Sequence, residues 1–355
     1  MPKNHEGNRM RLTREQLRGR AQTVTGLVDP IELGRTLMHE HLIWDARPRD
    51  WKAAEPGPEI ELCNCFKINY TRLKVPRNFV CRSADIVSQE VQEMIAAGGR
   101  TVVELSCGGL APDPDGLIQI AKRTGAQIVM GCGYYLGSFQ DQTNEYRSVE
   151  SFAKEITSQI LEGAWGTEAR AGIIGEIGCQ VPWTQLERRV LQGAIIAQAE
   201  TGISVNIHPG RQEDQPQEIA EFVVANGGCI ERTILSHIDR TIFDVDRLLR
   251  LADTGCVIEF DLFGQEQGYY PWSNIEPPND AGRLRLIRAL ISHGHLNRVV
   301  ISHDICQLTR LTRYGGHGYG HIYENVVPLM KERGFSESEI DAILVDNPKR
   351  LLTFV

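Results

Sequence analysis

Eight short runs of apolar and β-branched residues recur along the chain, separated by stretches of helical pattern. The runs are Thr36–Leu42, Arg100–Ser106, Ala126–Gly131, Ala171–Ile177, Ile203–His208, Arg232–His237, Cys256–Asp261 and Arg298–Asp304. Near-continuous hydrophobicity suits strands covered on both faces, and parallel strands need long crossovers, usually helical. Thr184–Thr201 places Leu186, Val190, Leu191, Ala194, Ile195 and Gln198 on helical spacing and stops at Gly202. Ser83–Ala97, Glu218–Ala225, Phe243–Ala252, Arg283–Ser292, Tyr323–Arg333 and Glu337–Val345 read likewise. Eight alternations predict an α/β chain folded as a (β/α)8 TIM barrel. The alternative, a doubly wound sheet, normally carries a Gly-rich phosphate loop after its first strand. Here the first run ends in His39-Glu40-His41 instead. The reading is a polar arm at 1–20 and one barrel domain at 21–355. Residues 46–80 lack periodicity and contain Pro48, Pro56, Pro58, Pro76, Trp51, Phe66 and Tyr70. A long loop after the first strand is expected over the barrel mouth.

Composition excludes several classes. Lys+Arg is 38 against Asp+Glu 46, a net charge of −8, which opposes nucleic-acid binding. No run of 18 apolar residues occurs, and the basic, polar start has no apolar core of a signal peptide. A cytoplasmic protein with no membrane partner is expected. The nine cysteines form no CxxC pair and are read as reduced thiols, mostly buried.

The chemistry lies at the strand ends. In a parallel barrel every strand finishes on one rim, where active sites are built. Residues i and i+2 of a strand face the same way, so His39 and His41 can share a metal. Glu176, His208, His237 and Asp304 end four further runs. Imidazole and carboxylate ligands suit zinc or another first-row divalent ion. His39, His41 and Asp304 can hold one ion, His208 and His237 a second, and Glu176 can bridge them. Such a pair would share a hydroxide nucleophile, with Asp304 orienting it and receiving its proton. His303, next to Asp304, is expected to point away from the mouth. His293 and His295 read as surface or helix-end residues, and His5 as disordered. His317 and His321 can touch substrate or brace their loop.

The order HxH, bridging acid, His, His, Asp over eight strands resembles the phosphotriesterase family of the amidohydrolase superfamily, from about Val24 to Phe354. The resemblance is carried by Gly34-Arg35-Thr36-Leu37-Met38-His39-Glu40-His41, Gly172–Gly178, Ser236-His237-Ile238-Asp239, Ile301-Ser302-His303-Asp304 and Asn347-Pro348. It implies a binuclear metal hydrolase with the same ligand assignment, and a homodimer. Many relatives carry a carboxylated lysine where this chain has Glu176. The lactonase branch has Arg-Tyr after the strand-seven aspartate, whereas Asp261 is followed here by Leu262-Phe263-Gly264. Gly133-Tyr134-Tyr135 and Gly318-Tyr319-Gly320-His321 are most similar to the phosphotriesterase-related, resiniferatoxin-binding-protein-like branch.

Tyr134, Tyr135, Phe263, Tyr269, Tyr270 and Trp272 are candidates for an apolar substrate pocket. Arg310 and Arg313 are candidates for a carboxylate or sulfonate. Asp239, two residues after His237, is placed to accept the imidazole N–H of a neighbouring ligand. The resulting expectation is a metal-dependent hydrolase of a carboxylic ester, lactone or amide, acting on a small molecule with two divalent ions, zinc foremost. The alternatives are a phosphotriesterase acting on organophosphates and a non-catalytic ligand-binding barrel.

Overall fold

The computed structural model describes residues 11–70, 75–267, 270 and 272–355. Its central sheet has eight strands: β1 (Thr36–Glu40), β2 (Thr101–Glu104), β3 (Gln127–Cys132), β4 (Ile173–Gly178), β5 (Val205–His208), β6 (Thr233–Leu235), β7 (Val257–Phe260) and β8 (Val299–Ile301). Neighbours in sequence pair in parallel from β1 through β8. The first and last strands meet where the Asp304 N–H donates to the His39 carbonyl at 3.2 Å. All eight expected runs are strands, and the sheet curls into a nearly closed TIM barrel.

Alternation along the strands divides the core. Met38, Val103, Val129, Ile173, Ile234, Val257 and Val300 form a fully buried inner cluster. Leu351 and Leu352, from the terminal helix, join this cluster. They close the barrel end away from the site, where the Ser204 hydroxyl and the Arg232 guanidinium donate to the Leu351 carbonyl. Leu37, Val102, Ile128 and Ile258 face the helical layer instead. Helices fill the crossovers, and their caps are visible in the sequence. Thr184 and Glu187 form a capping box on Gln185–Thr201, which ends at left-handed Gly202. Two further helices, Pro114–Thr124 and Val149–Leu161, fill crossovers that periodicity left unassigned. Asp113 and Ser148 cap them by accepting backbone N–H groups.

One expectation is corrected. The segment 46–80 is not structureless: it contains the helix Leu62–Tyr70, and the short strand Val80–Cys81 pairs with Trp44–Asp45. The second half of the expected N-terminal arm is docked. Thr13 caps a turn of helix at Arg14–Leu17, Leu17 is fully buried, and Arg14 donates to the Val355 and Ala199 carbonyls. The polar composition hid one apolar anchor. His5 lies outside the described residues. The cysteines are all free thiols, six of them buried and Cys63 and Cys229 exposed. No helix among the described residues is long and apolar enough to cross a membrane.

Candidate functional site

Six side chains from five strand ends meet at one rim. His39, His41, Glu176, His208 and His237 are each 5% exposed or less. Glu176 lies between two histidine pairs. Its Oε2 is 3.6 Å from His39 Nε2 and 3.8 Å from His41 Nε2. Its Oε1 is 2.9 Å from His237 Nε2 and in close contact with His208 Nδ1. Asp304 Oδ1 lies 3.2 Å from His41 Nε2 and 3.9 Å from His39 Nε2. One carboxylate thus faces both pairs, and the second caps the HxH side.

Local backbone geometry makes this convergence possible. Gly175 has φ +134°, and a Cβ there would lie 2.6 Å from the Asn206 carbonyl oxygen; only glycine lets β4 approach β5 so closely just before Glu176. His237 and Asp304 adopt left-handed φ values of 55° and 52°, uncommon for residues with a Cβ. Surrounding hydrogen bonds hold both. Asp261 accepts the His237 N–H at 2.9 Å. Glu40, the middle residue of the HxH motif, accepts the N–H groups of His303 and Ile305, which flank Asp304, at 2.9 and 3.1 Å.

The remaining ring nitrogens are also occupied. His39 Nδ1 is 3.2 Å from both Glu259 Oε2 and Ser236 Oγ. His41 Nδ1 is 3.0 Å from Ser106 Oγ, and His237 Nδ1 is 2.8 Å from Asp261 Oδ1. Such contacts fix ring orientation and leave the opposite nitrogen for a metal.

The electrostatics follow from burial and proximity. Burial disfavours charge on every member. At Glu176 the imidazoles of His208 and His39 outweigh burial and hold the carboxyl well below its ordinary range. At His39 the Glu176 and Glu259 carboxylates likewise outweigh burial and raise the imidazole. Burial dominates at His208, depressing it to about 3. Burial is overcome by Asp261 at His237, raised to about 9. Despite its burial, Asp304 lies below the usual carboxylate range because of His41, His237 and His39.

These residues fit a divalent cation. His39 Nε2 is buried and has no hydrogen-bond partner among the described residues. His208 Nδ1 and His237 Nε2 stand 2.8 Å apart while sharing the same Glu176 oxygen. Two ring nitrogens and a carboxylate oxygen gathered so closely can be shared by one cation once the rings are neutral. Three overlapping donor sets among the described residues, His39/His41/Glu176, Glu176/His208/His237 and His39/His237/Asp261, each have ligand atoms within 4.8 Å of one another.

A cavity of about 430 Å³ opens above this cluster, lined by residues that include His41, Glu176, His208, His237 and Asp304. Tyr135, Tyr270, Trp272 and Arg310 also line it, with Tyr135 packed edge-on against His208 at 4.9 Å. Trp51 and Phe79 reach it from the segment after β1.

Other expectations need correction. Tyr134 does not line this cavity; its hydroxyl donates to Glu155 and accepts from Arg147. Tyr134 and Tyr135 are adjacent in extended chain and point to opposite sides. Phe263 is fully buried, with the Arg283 guanidinium 5.7 Å from its ring. Asp239 receives no histidine: it accepts from the Leu262 N–H at 2.9 Å and from Arg283 Nε at 2.7 Å. The left-handed turn at His237 swings Asp239 away, and Asp261, the residue after β7, takes the role expected of it. Arg313 is exposed and absent from the cavity wall. Tyr269 lies outside the described residues. His303 faces Glu40, His317 stacks on His303, and His321 pairs with Asp280. His293 and His295 sit at a helix C-terminus. Glu259, Asp261 and Glu40 support the site from behind without a motif of their own, although Glu259 and Asp261 repeat the i, i+2 spacing of the HxH pair.

A TIM barrel with a histidine–carboxylate cluster at its strand ends and a small-molecule cavity above them has the architecture of a metal-dependent hydrolase. Residues 19–352 match the phosphotriesterase family, and the chain belongs to it. Among its relatives is an N-acetyltaurine hydrolase of Salmo salar, 41% identical over 346 residues that cover 95% of this chain and 99% of the relative. The Homo sapiens N-acetyltaurine hydrolase is 40% identical over 345 residues, with 95% and 99% covered. Among solved structures, a resiniferatoxin-binding protein from Rhodobacter sphaeroides superposes with a TM-score of 0.89 at 33% identity, over 96% of this chain and 97% of that one. The protein is accordingly a metal-dependent hydrolase of this family, and the non-catalytic alternative is set aside.

Proposed function

We propose that the protein hydrolyses the amide of a small N-acylated amine, with N-acetyltaurine as the leading substrate and two divalent ions, zinc foremost, as cofactors. The observation that carries the reading is Glu176, whose two oxygens face separate histidine pairs beneath a cavity of about 430 Å³. The amide preference within the ester, lactone and amide range draws on the N-acetyltaurine hydrolases, about 40% identical over nearly full length.

His39, His41 and Asp304 would hold one ion, His208 and His237 the other, and Glu176 would contact both. When bound, such ions supply Lewis acidity and lower the pKa of water. The chain's own residues then divide the work. Asp304 is held in its carboxylate form by His41, His237 and His39, so at neutral pH it can accept the proton of an attacking water. Water oxygen bonds to the acyl carbon, the C–N bond breaks, and Asp304 returns the proton to the departing nitrogen. A carboxylic acid and an amine result, and the acid's proton passes to the amine to leave a carboxylate and an ammonium. Tyr135, Trp272 and Phe79 exclude bulk water from the acyl group.

The test is metal content together with amine release. Two equivalents of zinc per chain, and taurine release that stops on chelation and returns with zinc, support the reading. Metal-loaded protein that releases no amine from any short N-acyl amide refutes it.

A further inference from the structure

We propose that Arg211, steadied by Tyr270, is the anion-recognition residue of this cavity and binds the sulfonate of an N-acyl-2-aminoethanesulfonate. The inference rests on the amide-hydrolase reading above and adds the residue that would select the substrate's charged end.

Three arginines line the cavity: Arg211, Arg240 and Arg310. None forms an ion pair with a carboxylate among the described residues; their guanidinium contacts are to neutral groups. An arginine beside a cavity without an acidic partner is a preformed anion site, because its charge is permanent and its donors form a rigid fork. The three differ in what they have left to offer. Arg240 is 2% exposed, and its donors go to the Pro209 and Gly210 carbonyls at 3.1 and 3.3 Å, to Thr241 Oγ1 at 3.4 Å and towards His208 Nε2 at 3.2 Å. Arg310 commits one terminal amino group to the Asp304 carbonyl at 3.0 Å. Arg211 donates Nε to the Tyr270 hydroxyl at 3.1 Å. Among the described residues both terminal amino groups of Arg211 are without a hydrogen-bond partner, against one in Arg310.

The backbone fixes Arg211 relative to the metal-ligand candidates. It follows His208 by three residues, and the intervening Pro209-Gly210 is clamped on both sides. Arg240 holds both carbonyls. Gln215 accepts the Gly210 N–H and itself donates to the Gln180 carbonyl at 2.7 Å. A Cβ at Gly210 would lie 2.5 Å from Val181 Cγ2, so the turn packs closely against its neighbour. A backbone held in this way before substrate arrives favours binding. Arg211 lines the same cavity, of about 430 Å³, as Glu176, His208, His237 and Asp304, so an anion bound to it shares that small cavity with the scissile carbonyl. A sulfonate, ionised at every physiological pH, suits a group that never loses its charge.

The test compares matched N-acetyl amides bearing a sulfonate, a carboxylate or a neutral hydroxyl head, using metal-loaded wild type, Arg211→Ala, Arg211→Lys, Tyr270→Phe and Arg310→Ala. Melting temperatures establish that each variant folds. In Arg211→Ala the ratio of kcat/KM for the sulfonate over the neutral amide should fall about 100-fold, with partial recovery in Arg211→Lys. Tyr270→Phe should raise KM for the sulfonate with little change in kcat. Calorimetric titration with taurine reads the same site without turnover, and its binding should be lost in Arg211→Ala. Sulfonate binding that depends on Arg211, in a protein that cleaves no N-acyl amide, supports this inference and sinks the amide-hydrolase reading. An unchanged ratio and unchanged taurine affinity in Arg211→Ala, a ratio that falls only in Arg310→Ala, or a wild type that neither binds taurine nor cleaves the sulfonate amide overturns it.

Discussion

Asp261 grips His237 twice: Oδ1 lies 2.8 Å from the imidazole Nδ1, and Oδ2 accepts the backbone N–H at 2.9 Å. The aspartate therefore fixes both a strained backbone, at φ 55°, and the direction in which Nε2 points.

Asp261→Asn keeps the shape but loses the charge and one of the acceptors. Loss of a carboxylate behind a histidine ligand costs roughly 10–100-fold in metal affinity. Chelator competition should show this weakening for one equivalent of metal and leave the other near wild type. Equal weakening of both equivalents would place Asp261 in general structural support rather than behind His237.

Asp304→Asn should remove the proton acceptor while leaving an oxygen near His41, which Asp304 approaches at 3.2 Å. Loss of a positioned general base costs on the order of 10²–10⁴-fold in rate. The drop should appear in kcat at full metal occupancy. Glu176→Gln should instead lower metal occupancy, because its two oxygens face different histidine pairs. If both variants keep wild-type kcat/KM, the assignment fails.

The barrel was legible in the sequence because buried parallel strands need long apolar runs, and eight of these cannot be mistaken for an amphipathic pattern. The convergence of His39, His41, Glu176, His208, His237 and Asp304 was legible for the same reason: topology places strand ends on one rim. Roles that depend on which way a residue turns were not. Tyr134 and Tyr135 are neighbours, yet only Tyr135 reaches the cavity. Asp239 is close to His237 in sequence, but the left-handed turn at His237 sends it to Arg283. Asp261, distant in sequence, arrives just after the adjacent strand. Arg211 lies in an aperiodic loop, where neither pattern nor spacing distinguishes a cavity arginine from a solvated one.

Asp280 gathers three donors behind the site: the Gly264 N–H at 3.0 Å, Arg283 Nη1 at 2.9 Å and His321 Nε2 at 2.7 Å. Burial would raise its carboxyl, but His321, Arg283 and Gly264 together lower it to about 2. A depressed carboxyl stabilises the fold above its unfolded value, near 4, and this contribution is lost as pH falls through about 2. The shift corresponds to about 2 kcal/mol. Asp280→Asn should therefore be less stable than wild type by about that amount at pH 7, with the gap closing between about pH 4 and pH 2. Urea unfolding across this range measures it; a gap independent of pH would rule out the charge as its source.

Metal removal should reverse the pH dependence of stability around the site. In the metal-free protein, burial opposes the charge on His237, but the Asp261 carboxylate raises the imidazole to about 9. A raised histidine stabilises the fold fully below its unfolded pKa, near 6.5, and that contribution disappears as pH rises through about 9. Chelator-treated protein should thus lose thermal stability over this window. The loaded protein should not follow it, because ligand histidines bind metal in their neutral form and higher pH strengthens the complex. The difference in melting temperature between the two forms should widen by roughly 5 °C from pH 6.5 to pH 9. In Asp261→Asn, where the partner that raises His237 is neutral, the metal-free form should show a flatter profile than wild type. A metal-free wild type that holds its melting temperature across the window, or an Asp261→Asn profile that declines as steeply, would mean that His237 carries no stabilising proton in the empty site.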